Sequence, residues 1–298
     1  MSLALEQDGV LSRAQARACG LDRWAVAHQV AAGRWQSYGD QSIAVHRLPL
    51  GRRARSRVAV WEAGDRAALD GASALAWHGL AGFDDGVHVV VPWPHRTVDW
   101  PGAVVHPSRL WHPDDIELRD GLRVTKPAVS AIRAAMWARS DRAAATVMAM
   151  SVQQKICDGT DLLLEARRLN RHKRRPLLLV VARDIAAGAE ALSELDFAVW
   201  CRRRKLPTPS RQVLRRGFNA RAYLDVLWDD WNVAVEIEGA HHDAPEHAVD
   251  DALRQNAVTI GGHVSFLRIP VLGLRTQADA FMGQVAAMLH AAGWSPAE

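Results

Sequence analysis

The chain has 298 residues, of which 49% are hydrophobic and 23% charged. That is too apolar for disorder along its length and long enough for two or three packed units at roughly 100–200 residues each. No apolar run approaches the ~20 residues that cross a bilayer. The opening MSLALEQDGV lacks a basic region followed by an apolar stretch, which argues against a signal peptide. Cys19, Cys157 and Cys201 lie far apart with no partner at metal spacing, which excludes a disulfide scaffold and a zinc finger. A cytoplasmic protein with no membrane partner is expected.

Charge is more informative. The formal net charge is +4, with 33 Arg against 4 Lys, and the pI is about 9.3. GC-rich coding accounts for an Arg bias as readily as phosphate binding does. Coding does not account for segregation: Glu165 to Arg221 holds 15 Arg or Lys and five acids, whereas Ala222 to Leu253 holds nine acids and no Arg or Lys. A basic stretch beside an acidic one suits a polyanion held next to a metal-binding pocket.

In chain order, residues 1–50 read as a small DNA-binding unit. Ser12 and Gln15 form a capping box for a short helix that ends at Gly20. Asp22 caps a second helix, with Trp24, Val26, Ala27 and Val30 at helical spacing and Gly33 at its end. Arg34 to Tyr38, the turn Gly39-Asp40 and Ser42 to Val45 are hairpin chemistry. Two helices and a hairpin describe a winged helix-turn-helix, whose second helix enters a major groove. Arg13, Arg17, Arg23, His28 and Arg34 are its candidate DNA contacts. The same fold also serves for protein contact or as a structural cap.

Residues 51–185 read as an α+β middle or linker domain. A helical, Ala-rich segment covers Arg57 to Leu80; strands follow at Val87 to Val91 and Ala103 to His106. A helical stretch runs from Ala128 past Ile156 into the Arg-rich Arg167 to Arg175. Its histidines (His78, His88, His95, His106, His112) are irregularly spaced and form no catalytic pattern.

Residues 186–298 carry the chemistry. A helix is expected over Ser193 to Lys205, then strands at Gln212 to Arg216, Arg221 to Trp228 and Trp231 to Glu238. A His- and Asp-rich helix (Pro245 to Val258), a strand (His263 to Ile269) and a terminal helix (Gln277 to Ala292) follow. That order describes an α/β/α sandwich with a mixed sheet. Strand alternation puts Val233, Val235 and Ile237 on one face and Ala234, Glu236 and Glu238 on the other. Asp225 is another acid in an apolar strand, and Glu194 sits in the first turn of the preceding helix.

Glu236 and Glu238, ~7 Å apart along a strand, repel by about 2 kcal/mol at an effective dielectric of 20. No basic residue lies nearby in sequence, so the cluster is expected to be hydrated, partly protonated or occupied by a cation. Hard oxygen donors suit Mg²⁺, Mn²⁺ or Ca²⁺, and such an ion activates water on a phosphodiester. An exposed acidic sheet edge is the alternative. His241 and His242 follow a turn at Gly239, and either suits a general acid or base. Arg254, one turn from Asp251, fits a surface pair or a phosphate contact. Basic residues for DNA stand at Arg202 to Lys205 (Arg203 among them), Arg211 and Arg215.

The motifs Ser193-Glu194, Leu206-Pro207-Thr208-Pro209, Tyr223-Leu224-Asp225, Val235-Glu236-Ile237-Glu238-Gly239, His242, Asp251-x-x-Arg254 and Gly262-x-Val264 to Arg268 resemble the very-short-patch-repair-like endonuclease domain of the restriction-endonuclease-like, PD-(D/E)xK superfamily. The resemblance implies a DNA endonuclease using Mg²⁺ or Mn²⁺. In that scheme Asp225, Glu236 and Glu238 bind metal, Glu194 completes the catalytic site and His242 assists the water. Glu238 stands where the broad superfamily places Lys. Residues 1–50 resemble the winged N-terminal domain of AbiEi-type antitoxins, and Ala67 to Leu80 is similar to the segment that follows it. That resemblance implies a DNA-binding regulator with a toxin partner and a degenerate nuclease fold as the alternative function; RNA in place of duplex DNA is a third.

Overall fold

The computed structural model describes residues 2–94, 102–187, 197–216, 222–238 and 265–296. Among these the protein is mixed α/β, with three sheets and twelve α-helices. No described helix is long and apolar enough to cross a membrane. Contacts group the chain into two compact units, Met1–Trp137 and Ala138–Glu298. Residues 138–185, expected with the middle domain, thus fall in the second unit.

The first unit begins with α1 (Ser2–Glu6), β1 (Val10–Ser12), α2 (Arg13–Ala18), α3 (Arg23–Ala31), β2 (Gln36–Tyr38) and β3 (Ser42–Ala44). Both expected caps are present. The Ser12 hydroxyl accepts from the Gln15 amide at 3.1 Å and the Gln15 side chain accepts from the Ser12 amide at 2.9 Å; Asp22 accepts from the Ala25 amide at 2.7 Å. The three strands form an antiparallel sheet in the order β1-β3-β2, β1 being an addition to the hairpin read from sequence. Ala4, Leu11, Ala16, Val26 and Ile43 form its core, with Val30 against it. Trp24 and Ala27 do not join that face: Trp24 is 68% exposed and Ala27 is exposed. The inward stripe of α3 is the i, i+4 pair Val26 and Val30.

The remainder of this unit comprises α4 (Arg52–Ala63), β4 (Ala68–Leu69), α5 (Gly71–His78), β5 (Val87–Pro92), β6 (Ala103–Ser108), β7 (Ile116–Arg119), β8 (Leu122–Thr125) and α6 (Pro127–Trp137). The Ala-rich segment is therefore not one helix. It breaks at Gly64, whose φ of 107° suits glycine, and passes through a short buried strand. β7 and β8 are a hairpin whose turn, Asp120-Gly121, has positive φ at both residues, the geometry that Asp-Gly favours. The mixed sheet runs β6-β5-β4-β8-β7, and Val60, Leu69, Trp77, Val89, Leu122 and Val124 fill its core.

The second unit contains α7 (Asp141–Gln153), α8 (Gly159–Arg168), α9 (Arg175–Ala187), α10 (Phe197–Arg203), β9 (Arg211–Arg216), β10 (Ala222–Trp228), β11 (Val233–Glu238), β12 (Ser265–Pro270), α11 (Val271–Thr276) and α12 (Ala278–Ala291). The long helical stretch after Ala128 is thus four helices including α6; Ser140 caps α7 by accepting from the Ala143 amide at 3.1 Å. The sheet runs β12-β11-β10-β9. β9, β10 and β11 are antiparallel, and β11 to β12 is parallel. A parallel pair demands a crossover, here through residues 239–264, where the expected helix Pro245 to Val258 lies outside the described residues. Trp228 is fully buried; its indole N–H donates to the Pro207 carbonyl at 2.9 Å, and Phe197 meets it edge-on at 6.3 Å. Arg275 on α11 pairs with the buried Asp184 of α9 at 2.7 Å.

Candidate active site and basic faces

The strand register decides which acids share a face, because residues directly opposite one another in a sheet project to the same side. Asp225 pairs with Glu236 across β10 and β11, and Glu236 pairs with Arg268 across β11 and β12. The sheet therefore carries a row Asp225, Glu236, Arg268, with Glu238 two positions further along on the same side. Directly opposed residues bring their Cβ atoms to ~5 Å. β10 and β11 are the two interior strands of the described sheet. Val233, Val235 and Ile237 are buried on the far face at 0–1% exposure, while Glu236 is 2% exposed; Asp225 and Glu238 are half-buried.

The expectation that no basic residue offsets the acids is corrected. Arg268 Nη2 lies 3.4 Å from Glu236 Oε2 and its Nε lies 2.9 Å from Glu238 Oε1. The cation comes from a parallel strand 30 positions downstream of Glu238, so proximity in sequence could not show it.

Whether these residues fit a divalent ion turns on the donor set. Mg²⁺ takes one or two carboxylates from protein and completes its octahedron with waters and substrate phosphate. Asp225 and Glu236 meet that requirement as a side-by-side pair of hard oxygen donors. Among the described residues, Asp225, Glu236 and Glu238 included, no group of three or more His, Cys, Asp or Glu side chains is placed to hold a metal ion, and Arg268 engages both Glu236 and Glu238. Glu194, His241, His242, Asp251 and Arg254 lie outside the described residues.

The expected basic contacts divide between the two units. In the first, Arg17, Arg23, His28 and Arg34 are exposed on and around α2 and α3. The Arg23 guanidinium lies 4.7 Å from the ring of the exposed Trp24, and Arg34 donates to Gln29 at 2.6 Å. Arg13 is half-buried and donates to the Ser37 hydroxyl at 2.8 Å, which fixes it to the hairpin. In the second, Arg202, Arg203 and Lys205 are exposed at the end of α10, and Arg204 packs over Trp200 and pairs with Asp279. The backbone of Arg211 opens β9; its side chain is outside the described residues.

Two polar clusters in the first unit escaped the sequence reading. Asp70, with 0% exposure, accepts from the Gly71 amide and the Thr125 hydroxyl at 2.7 Å and from Arg133 at 2.8 Å. Arg133 also donates to the Leu110 carbonyl at 2.8 Å and pairs with the buried Asp115 at 3.3 Å. Burial pushes the Asp70 carboxyl up, against Arg133 and the three hydrogen bonds that favour its charged form. Ser73 accepts from the His88 amide at 2.6 Å and donates to the Gly86 carbonyl. Gly71 has φ +56°, and a Cβ there would meet the Trp137 ring at 2.9 Å. The segment Leu69 to Ser73 thus reads as a structural lock, in which the Asp70 and Ser73 side chains are both hydrogen-bonded internally.

The second cluster joins His88 Nδ1 to His106 Nε2 at 2.9 Å, with His106 stacked on Trp137 at 3.6 Å. Burial, aided by the His88 charge, holds His106 down at about 4. No third metal donor converges on this pair among the described residues.

No family model matches the chain, and no curated protein matches it. Functional inference therefore rests on the residues themselves.

Proposed function

We propose that the chain is a divalent-metal-dependent DNA endonuclease, with a winged helix-turn-helix over residues 1–50, an α+β middle region whose helices after residue 137 belong to the second compact unit, and a restriction-endonuclease-like sandwich over 186–298. The observation that carries this reading is the register of β10 on β11, which sets Asp225 beside Glu236 on one face of two interior strands. A buried carboxylate next to a second one is costly unless a cation answers it, and a divalent ion is a cation that Asp225 and Glu236 can share.

In this reading Asp225 and Glu236 hold Mg²⁺ or Mn²⁺. The bound ion supplies Lewis-acid polarisation of a phosphoryl oxygen and a more acidic water. The apolar underside of β11 fixes the Glu236 backbone and so its carboxylate position. The exposed Arg202, Arg203 and Lys205 contact the DNA backbone as phosphate partners. His242 and Glu194 take the roles that the sequence resemblance implies, His242 moving a proton at the attacking water and Glu194 completing the catalytic site. The exposed basic residues of α2 and α3 place the protein on duplex DNA.

A second reading, a DNA-binding regulator with a toxin partner and a relic nuclease fold, is favoured by the Arg268 ion pairs, which partly neutralise the acids without metal. The deciding experiment incubates supercoiled plasmid with the protein and Mg²⁺ or Mn²⁺, alongside Asp225→Asn and Glu236→Gln. The nuclease reading expects metal-dependent nicking or linearisation lost in both variants and on chelation. Cleavage absent across metals, or equal in all three proteins, defeats it; retained duplex binding would then favour the regulator.

A further inference from the structure

We propose that Arg268 is a positioning residue that couples metal binding to DNA binding at the Asp225–Glu236 site. The inference rests on the nuclease reading and deepens it. Three facts carry it. Arg268 sits in the same cross-strand row as Asp225 and Glu236. Its guanidinium faces two carboxylates at once, 3.4 Å from Glu236 and 2.9 Å from Glu238. Its side chain is 27% exposed while that of Glu236 is 2% exposed, so part of the Arg268 side chain meets solvent where the Glu236 side chain does not.

A guanidinium in that place does two things. Without DNA it stabilises the acids and repels an arriving divalent ion. With DNA, a phosphate offers the planar fork a better partner, since Arg engages phosphate bidentately. Turning the fork toward phosphate releases the carboxylates to the ion. The ion and the DNA then bind each other's sites more tightly by the same factor, as linkage requires. The chain thus holds its metal weakly until a phosphodiester is present.

The test measures Mn²⁺ affinity by electron paramagnetic resonance on full-length protein, with and without a 20-base-pair duplex whose backbone is phosphorothioate. Wild type, Arg268→Met, Arg268→Lys and Asp225→Asn are compared. Removing one positive charge within a few ångströms of a divalent site is expected to tighten DNA-free Mn²⁺ binding by about tenfold or more. Arg268→Met should therefore bind Mn²⁺ more tightly than wild type without DNA, and its gain on adding duplex should fall toward one. Arg268→Lys, which keeps the charge but not the fork, should stay weak without DNA and show reduced coupling. Asp225→Asn should lose binding in every condition. Asp225-dependent Mn²⁺ binding that is equal in wild type and Arg268→Met overturns this inference and leaves the nuclease reading standing. Absence of Mn²⁺ binding in wild type and Arg268→Met, with and without DNA, overturns the nuclease reading itself. Should Arg268→Met fail to fold by circular dichroism, Arg268→Lys carries the test alone, and unchanged coupling in it is the adverse result.

Discussion

Replacing Arg133 by Met removes the one cation that, among the described residues, lies within hydrogen-bond reach of Asp70 and preserves most of the side-chain volume. Asp70 has 0% exposure, and the pair is 2.8 Å apart. Taking one partner from a buried ion pair typically costs 3–5 kcal/mol, which would be a large part of a domain's stability. The cost is not a simple lost contact, because Asp70 escapes it by taking up a proton. Burial already pushes its carboxyl up; without Arg133 that push is less opposed. A folded-state pKa raised above the unfolded value means that the stability is present below about pH 4, the unfolded value, and is lost as pH rises through the folded one. The deficit of Arg133→Met should therefore be largest at pH 7–8 and shrink toward pH 5, by up to about 1.4 kcal/mol per pH unit within that window. Hydrogen exchange of peptides spanning β4, α5 and α6 reads it locally, which avoids treating a two-unit chain as one transition. Adding Asp70→Asn should restore part of the loss. A deficit under about 1 kcal/mol that does not vary with pH would refute the reasoning, since a buried, unpaired carboxylate cannot be inexpensive at pH 7.

Two further outcomes are expected. His106, held at about 4, keeps its ring neutral in the folded state, so its contribution is present above pH about 6.5 and lost as pH falls toward 4. Allowing for solvent screening, about 1–2 kcal/mol should go in that window, and His106→Gln should flatten that part of the acid-unfolding profile. On duplex DNA, Arg17→Ala and Arg23→Ala should each reduce the slope of log affinity against log salt by about one if they contact phosphate; unchanged slopes in both would remove α2 and α3 from the DNA-binding face.

What was legible in the sequence follows from what is local. β9, β10, β11 and β12 stand within two or three residues of their expected positions, because period-two alternation is short-range. The capping box at Ser12 and the Asp22 cap were equally legible. Residues 57–80 were misread because alanine suits both a helix and a tightly packed short strand, and the break depends on Gly64. The β7–β8 hairpin is written in the sequence as well: Asp120-Gly121 stands between the alternating runs Ile116-Glu117-Leu118-Arg119 and Leu122-Arg123-Val124-Thr125, the pattern of a two-residue hairpin. Trp24 was grouped with Val26 and Val30 by its apolarity, yet it stands outside the core. Arg268 and the Asp70–Arg133 pair were invisible for one reason: both depend on pairing between segments 30 or more residues apart. The same holds for the partnership of Asp225 with Glu236, where alternation set the face of each strand and only the register joined them.

The central claim is that Asp225 and Glu236 together hold a divalent ion. Its most direct measurement is anomalous scattering from crystals grown with Mn²⁺ and a short duplex. The account predicts an anomalous peak bonded to one oxygen of Asp225 and one of Glu236, with Arg268 turned toward a phosphate. Ordered DNA over this face with no ion between those carboxylates, and Arg268 still paired to Glu236 and Glu238, would contradict it.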